Sequence, residues 1–334
     1  MDSAIKLTAT EITGLWGTYL EASMSFNMKK YFLQTVTCKK TKQLLQEDMK
    51  HIESFVFPEI TRIFHQDKVA LPHGFGDEDV NEQAPPLLSE QFIQEFMLYR
   101  SRLGMTNATS FLTNVTRTDI RDFFKKSFDH CFDQYNQLTD LLLEKGIYIR
   151  APFIETQAQA EMISKNDYLG GVLPFTDKRP LNAPEIQGLF MHTQTNMIGI
   201  RLLTAFQQVA QDKAVQDYFK NGVKLAKEIV GFTTDTLSAS DTPAPMTWDG
   251  SITSSTVAPF SDRLMMYVTN SISAVGIGAM GLSIPTAMRA DIQSKYMTLM
   301  KDISQYAKQG IEIMIDYRWF EKPPTTPDRQ KLKN

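Results

Sequence analysis

The stretch Leu7-Thr-Ala-Thr-Glu-Ile-Thr-Gly-Leu-Trp16 returns later in the chain as Leu181-Asn-Ala-Pro-Glu-Ile-Gln-Gly-Leu-Phe190. Moving outward, further pairs keep the same order. Lys50-His-Ile52 faces Lys227-Glu-Ile229, Pro72-His-Gly-Phe75 faces Pro245-Met-Thr-Trp248, and Pro86-Leu-Leu-Ser89 faces Pro259-Phe-Ser261. Gly104 with Gly276, Arg117-Thr-Asp-Ile120 with Arg289-Ala-Asp-Ile292, and Pro152 with Pro324 then follow at one constant offset. Self-similarity on this scale reads as internal duplication. The repeated stretch also has a mechanical meaning. Thr8 with Glu11, and Asn182 with Glu185, fit a capping box, in which the cap side chain takes a free N–H and the acid reaches back to the cap amide. Leu7 with Ile12, and Leu181 with Ile186, fit the accompanying hydrophobic staple. Glu11 and Glu185 are therefore read as helix-start residues rather than catalytic carboxylates.

Hydrophobic periodicity places four long helices in each half, at 9–38, 40–67, 89–115 and 118–145, and at 183–210, 213–239, 261–283 and 286–317. The last has a heptad seam, Ile292, Tyr296, Leu299, Ile303, Tyr306, Gly310, Ile313 and Tyr317. Proline-bearing loops at 68–88 and 240–260 are too long for tight hairpins. A long crossing between the second and third helices, with short connections elsewhere, is the topology of ferritin-like bundles. The expected fold is all-α, two tandem ferritin-like four-helix bundles at 1–150 and 181–322, each closing its own core. A connector at 151–180, carrying Gly170, Gly171 and Pro174, separates them, and a disordered tail at 323–334 follows.

The 334 residues are 42% hydrophobic and 22% charged, with 17 Gly and 15 Pro, a globular composition that excludes collagen-like and low-complexity classes. The net charge is −3 and no Lys/Arg stripe is present, which argues against nucleic acid. The start lacks the basic and apolar regions of a secretory signal. The most apolar window, Val268 to Ile284, is interrupted by Thr269, Asn270, Ser271, Ser273 and Ser283, so no membrane span is expected. Two cysteines, Cys38 and Cys131, make no disulfide framework. The expected setting is a reducing cytoplasm, with protein partners or self-association open.

The phrases Leu142-Leu-Glu-Lys-Gly-Ile-Tyr-Ile-Arg150, Arg179-Pro-Leu-Asn182 and Pro259-Phe-Ser-Asp-Arg-Leu-Met-Met266 carry a resemblance. Over nearly its whole length the chain resembles a family of spore-forming bacteria known as domain of unknown function 3231. The resemblance implies a tandem pair of ferritin-like domains. Shorter relatives are named as spore coat candidates by likeness to coat protein F, which implies a spore association. It implies no activity and no site residues.

Ferritin-like folds often hold two metals, with one Glu from each of two helices and a Glu-x-x-His from each of the others. The nearest match is Asp48-Met-Lys-His51, while His130 follows Ser127 rather than an acid at the required spacing. Glu21, Asp48, His51 and His130 are the candidate metal ligands, with Glu95 and Asp133 conceivable beside them. In the second half Glu228 is read in place of His51 and Asp302 in place of His130, so no dinuclear site assembles there. No cofactor is expected. Gly276-Ile-Gly-Ala-Met-Gly281 matches the dinucleotide fingerprint, yet it lies inside a helix pattern with no strand before it. Close helix packing is the reading for these glycines and for Gly104. Cys131 reads as a packed thiol, and Trp16, Trp248 and Trp319 as packing anchors.

Three functions follow. The first is a non-catalytic helical protein acting through its surface. The second is a metal-dependent enzyme or metal binder with one degenerate site in the first half. The third is a carrier of an apolar ligand between helices, which a wide cavity would favour.

Overall fold

The structure, a computed structural model, describes residues 5–156, 158–163, 166–170, 178–245 and 250–329. Gly171, Pro174, Trp248 and the last residues of the tail lie outside the described residues.

The first half comprises α1 (Ala9–Thr35), α2 (Lys39–His51), a π-helical turn (Ile52–Val56) leading straight into α3 (Phe57–Asp67), α4 (Glu90–Leu112) and α5 (Thr118–Glu144). The second comprises α6 (Ala183–Val209), α7 (Lys213–Ser238), α8 (Asp262–Ser283) and α9 (Ala290–Asp316). The described chain is all-helical, its only extended pairing being two isolated antiparallel bridges.

Both capping boxes form. Glu11 accepts from the Thr8 amide at 2.8 Å while the Thr8 hydroxyl accepts from the Glu11 amide at 3.3 Å. Asn182 and Glu185 do the same at 3.1 and 3.0 Å. Each carboxylate also does something the local pattern does not announce. The second oxygen of Glu11 accepts from the Thr116 and Arg117 amides, both at 3.0 Å, at the start of α5. Glu185 accepts from the Met288 and Arg289 amides at 3.0 and 2.8 Å, at the start of α9. One fully buried acid thus satisfies the free N–H groups of two helix N-termini in each half.

Aligning the halves on their helix starts corrects one pairing. The second-helix segments start at Lys39 and Lys213, so the counterpart of His51 is Leu225 rather than Glu228, and that of Asp48 is Gly222. Beyond the π-turn the register differs by one residue: Val69 closes the helix end on Phe64 as Thr242 does on Leu237. The extra residue of the first half is absorbed by that turn, as inserted residues in helices commonly are.

The expectation of two self-contained cores is overturned. The largest buried cluster runs through both halves, joining Met24, Met28, Phe32 and Phe96 to Phe206, Phe219, Leu264 and Met265. Phe260 sits at the join, with ring centroids 5.3 Å from Tyr31, 6.1 Å from Phe32 and 6.3 Å from Phe206. The two long crossing loops meet there and pair. The Asn81 amide donates to Pro259 at 2.8 Å, Ser261 to Asp79 at 3.0 Å, Ser89 to Ser251 at 2.8 Å and Thr253 to Leu87 at 3.0 Å. Helix α1 is consequently buried on more than one face. Leu15 and Ala22 enter the first half's own cluster, whereas Met24, Met28, Tyr31 and Phe32 enter the shared one.

Candidate functional site

Away from the paired loops, α4 and α8 leave between the halves a cavity of about 890 Å³. Both halves line it at matching positions: Asp48 and Gly222, His51 and Leu225, Gly104 and Gly276.

The first-half wall is polar. Lys29 on α1 forms an ion pair with Asp48 on α2, and its ammonium donates to the Ser25 hydroxyl. His130 on α5 lies with Nε2 2.8 Å from the other Asp48 oxygen. A carboxylate only accepts, so that nitrogen carries the proton. The His130 ring stacks on His51, centroids 3.8 Å apart and planes within 6°. Burial alone would raise the Asp48 carboxyl, but the Lys29 ammonium and the His130 hydrogen bond outweigh it and hold the group well below the usual carboxylate range. Burial, reinforced by His130, pushes His51 down to about 4, so its imidazole is neutral at pH 7. The same wall floors an outer groove of about 330 Å³ lined by Leu44, Glu47 and Gln137, and so partitions the cavity from the α2–α5 surface.

A second pair belongs to the same half. Arg100 on α4 contacts Glu21 at 2.6 Å, and the Ser271 hydroxyl of α8 donates to the other Glu21 oxygen at 2.6 Å, linking the halves. In the second half, His192 lies 2.9 Å from the Ser283 hydroxyl, and burial lowers it to about 4. Burial, then the charge of Asp48, pushes the Cys131 thiol up to about 12, which leaves it protonated and a poor nucleophile.

All four residues singled out as metal ligands line this one cavity. Asp48, His51 and His130 come together, whereas Glu21 is turned to Arg100 and Ser271. Among the described residues no group of three or more His, Cys, Asp or Glu could hold a metal ion. Glu95 is engaged elsewhere, 2.6 Å from Arg201 of α6. Lys29 and Arg100 were not legible as site residues, since Lys29 beside Lys30 looks like an ordinary solvated pair.

The close-packing reading of the glycines divides. A Cβ on Gly104 would lie 2.4 Å from the Cys131 sulfur, so there a side chain is excluded. Gly276 and Gly278 meet nothing within 4 Å and line the cavity instead. That correction has a simple cause: the α8 face they occupy looks across the gap rather than onto a neighbouring helix. Helix α8 is also long and apolar enough, by length and composition alone, to cross a membrane. Here it packs on α6 and α9 and furnishes the cavity's small-residue wall. Trp16 and Trp319 do pack against buried clusters.

A crystal structure of a candidate spore coat protein from Bacillus halodurans C-125 is similar to this chain at 14% identity and a TM-score of 0.43, over 45% of this chain and 98% of that one. No curated protein matches the chain. The family described as protein of unknown function DUF3231 matches residues 1–159 and again 171–332. With nearly the whole length matched in two successive segments, the chain belongs to the DUF3231 family.

Proposed function

We propose that the protein is a non-catalytic carrier that binds a largely apolar small molecule in the cavity between its two halves. The observation that carries this is the cavity itself. Its volume of about 890 Å³ lies within the range of small-molecule sites, about 300–1,000 Å³. Small and aliphatic residues of α7 and α8, among them Leu225, Ile229, Val275 and Met280, form part of its wall and face the polar first-half side. A densely packed core would need no such space. The supporting plan is a pair of ferritin-like bundles, at 1–150 and 181–322 with a connector at 151–180 and a tail from 323. The long second-to-third crossing in each half supports that plan.

The same geometry weighs against metal chemistry as the working mechanism. Asp48 and Glu21, the carboxylates a metal would need, are each held by a cation and a hydroxyl or imidazole donor. A spore association rests on the family resemblance, and the cavity adds nothing to it.

Nile red titration tests the carrier reading. Saturable fluorescence enhancement near one equivalent is expected, and it should disappear in Gly276→Leu, whose side chain would project into the empty space. An unbound probe, or binding that ignores that substitution, defeats the proposal.

A further inference from the structure

The cations around the cavity outnumber the carboxylates. On its wall Lys29 is matched by Asp48, and Arg100 by Glu21 at 2.6 Å. A recess of about 60 Å³ adjoins it, set between α4, α6 and residues 147–149 after α5, and shares Tyr99, Arg102, Gln194 and Thr195 with the cavity wall. In the recess Arg201 is matched by Glu95 at 2.6 Å. The cation left over is Arg102, which lines both spaces. Among the described residues, the Tyr148 hydroxyl accepts from its guanidinium at 3.1 Å and the Tyr135 ring lies 5.6 Å from it. Neither partner is a carboxylate.

The repeated plan of the molecule does not call for a cation at this place. At the offset that sets Gly104 against Gly276, Arg102 is set against Ala274, which lines the cavity from α8. A guanidinium carries five N–H donors in a planar fork that matches a carboxylate with two parallel hydrogen bonds. An apolar molecule entering the cavity displaces water from that fork. Removing water from a cation is costly unless an anion takes the water's place.

Building on the carrier reading, we infer that the ligand is a long-chain carboxylate whose head pairs with Arg102 where the cavity meets the recess. Gln194 and Thr195 line both spaces there and surround the head with polar groups. The chain lies in the cavity against Leu225, Ile229 and Met280. An ammonium head would add a second unmatched cation. An alcohol would strip water from Arg102 without supplying the charge that replaces it.

The test is displacement of Nile red from the full chain by dodecanoate, dodecanol and dodecylamine, below micelle-forming concentrations. At about pH 8 histidines are neutral while both ionic heads stay charged. Dodecanoate should bind at least about tenfold more tightly than dodecylamine and about threefold more tightly than dodecanol. Arg102→Gln, which keeps a donor for Tyr148, should weaken dodecanoate by about tenfold and leave dodecanol within about twofold. Arg102→Lys, which keeps the charge, should hold dodecanoate within about threefold of the parent. Thr195→Glu offers Arg102 an internal carboxylate, should weaken dodecanoate as Arg102→Gln does, and serves if the Arg102 variants do not fold. Equal affinity for all three compounds, or substitutions that weaken all three alike as a merely structural Arg102 would, overturns the inference and leaves the cavity reading intact. Displacement by none of them, with Nile red itself unbound, would instead remove the carrier reading.

Discussion

Glu11 is the residue whose chemistry reaches furthest beyond its neighbours. Its burial opposes ionisation, yet hydrogen bonds from Thr8, Arg117 and Thr116 hold its carboxyl down at about 2. A carboxylate with a depressed native pKa stabilises the fold above its unfolded value, and that contribution is lost as pH falls through the native one. The window for Glu11 is therefore about pH 4.5 down to 2. Glu11→Gln keeps the shape but gives up two charge-assisted caps, and should cost about 2–3 kcal/mol at pH 7 in a urea melt. That difference should shrink towards pH 2. His192 works in the opposite range. Its native pKa is lowered to about 4 by burial, so the unfolded chain binds the extra proton and stability falls as pH drops from about 6.5 to 4. Replacing it by Gln, which can still hydrogen-bond Ser283, should flatten that part of the stability-versus-pH curve. The His192 share is at most about 3 kcal/mol. An unchanged slope would show that His51, lowered to about 4 by burial, carries the dependence.

Among the elements, the second helix of the first half and α8 make opposite use of irregularity. The π-turn at Ile52–Val56 accommodates one residue that α7 does not have, and Glu53 and Ser54 within it are exposed. Deleting Ser54 should restore a continuous α-helix and leave Ile60, Ile63 and Phe64 in their buried places. Thermal stability should then stay within about 1 kcal/mol of the parent. If the deletion unfolds the first half, the turn itself is a required part of the fold. In α8 the glycines stand against open space, so Gly276→Leu should gain about 0.8 kcal/mol of helix propensity while blocking Nile red. Gly104→Leu, at the equivalent position in α4, should cost about 1–3 kcal/mol because the Cys131 sulfur occupies the space a Cβ needs. Two glycines related by the repeat thus respond with opposite signs in the same denaturation experiment.

Across the whole molecule, the halves are joined by one core, the paired crossing loops and the Glu95–Arg201, Asp79–Arg263 and Glu21–Ser271 contacts. Phe260 touches aromatic rings of both halves, so Phe260→Ala should cost about 3–5 kcal/mol. The loss should appear in a single unfolding transition monitored by probes in either half. Two separated transitions, with only the second displaced, would mean that the halves unfold independently.

The duplication, the all-α class and most boundaries were legible from the chain alone, because they depend on local signals; the π-turn that divides the expected 40–67 helix was not. The capping boxes at Thr8 and Asn182 are three-residue geometries, and the α9 seam from Ile292 to Tyr306 is a single periodicity. The same seam misjudged its far end, where Met314 rather than Tyr317 is buried. A straight α-helix drifts relative to a strict heptad, and no local signal records where the partner helix ends. The second role of Glu11, the two-sided burial of α1, the pairing of the crossing loops and the ion pair between Lys29 and Asp48 all join residues distant in sequence. So does the cavity, an empty volume to which no single residue type corresponds. Pattern determined which helices form, since each helix satisfies its own backbone. Only tertiary packing decided which faces meet and which stay apart, since that depends on how two similar halves fit each other.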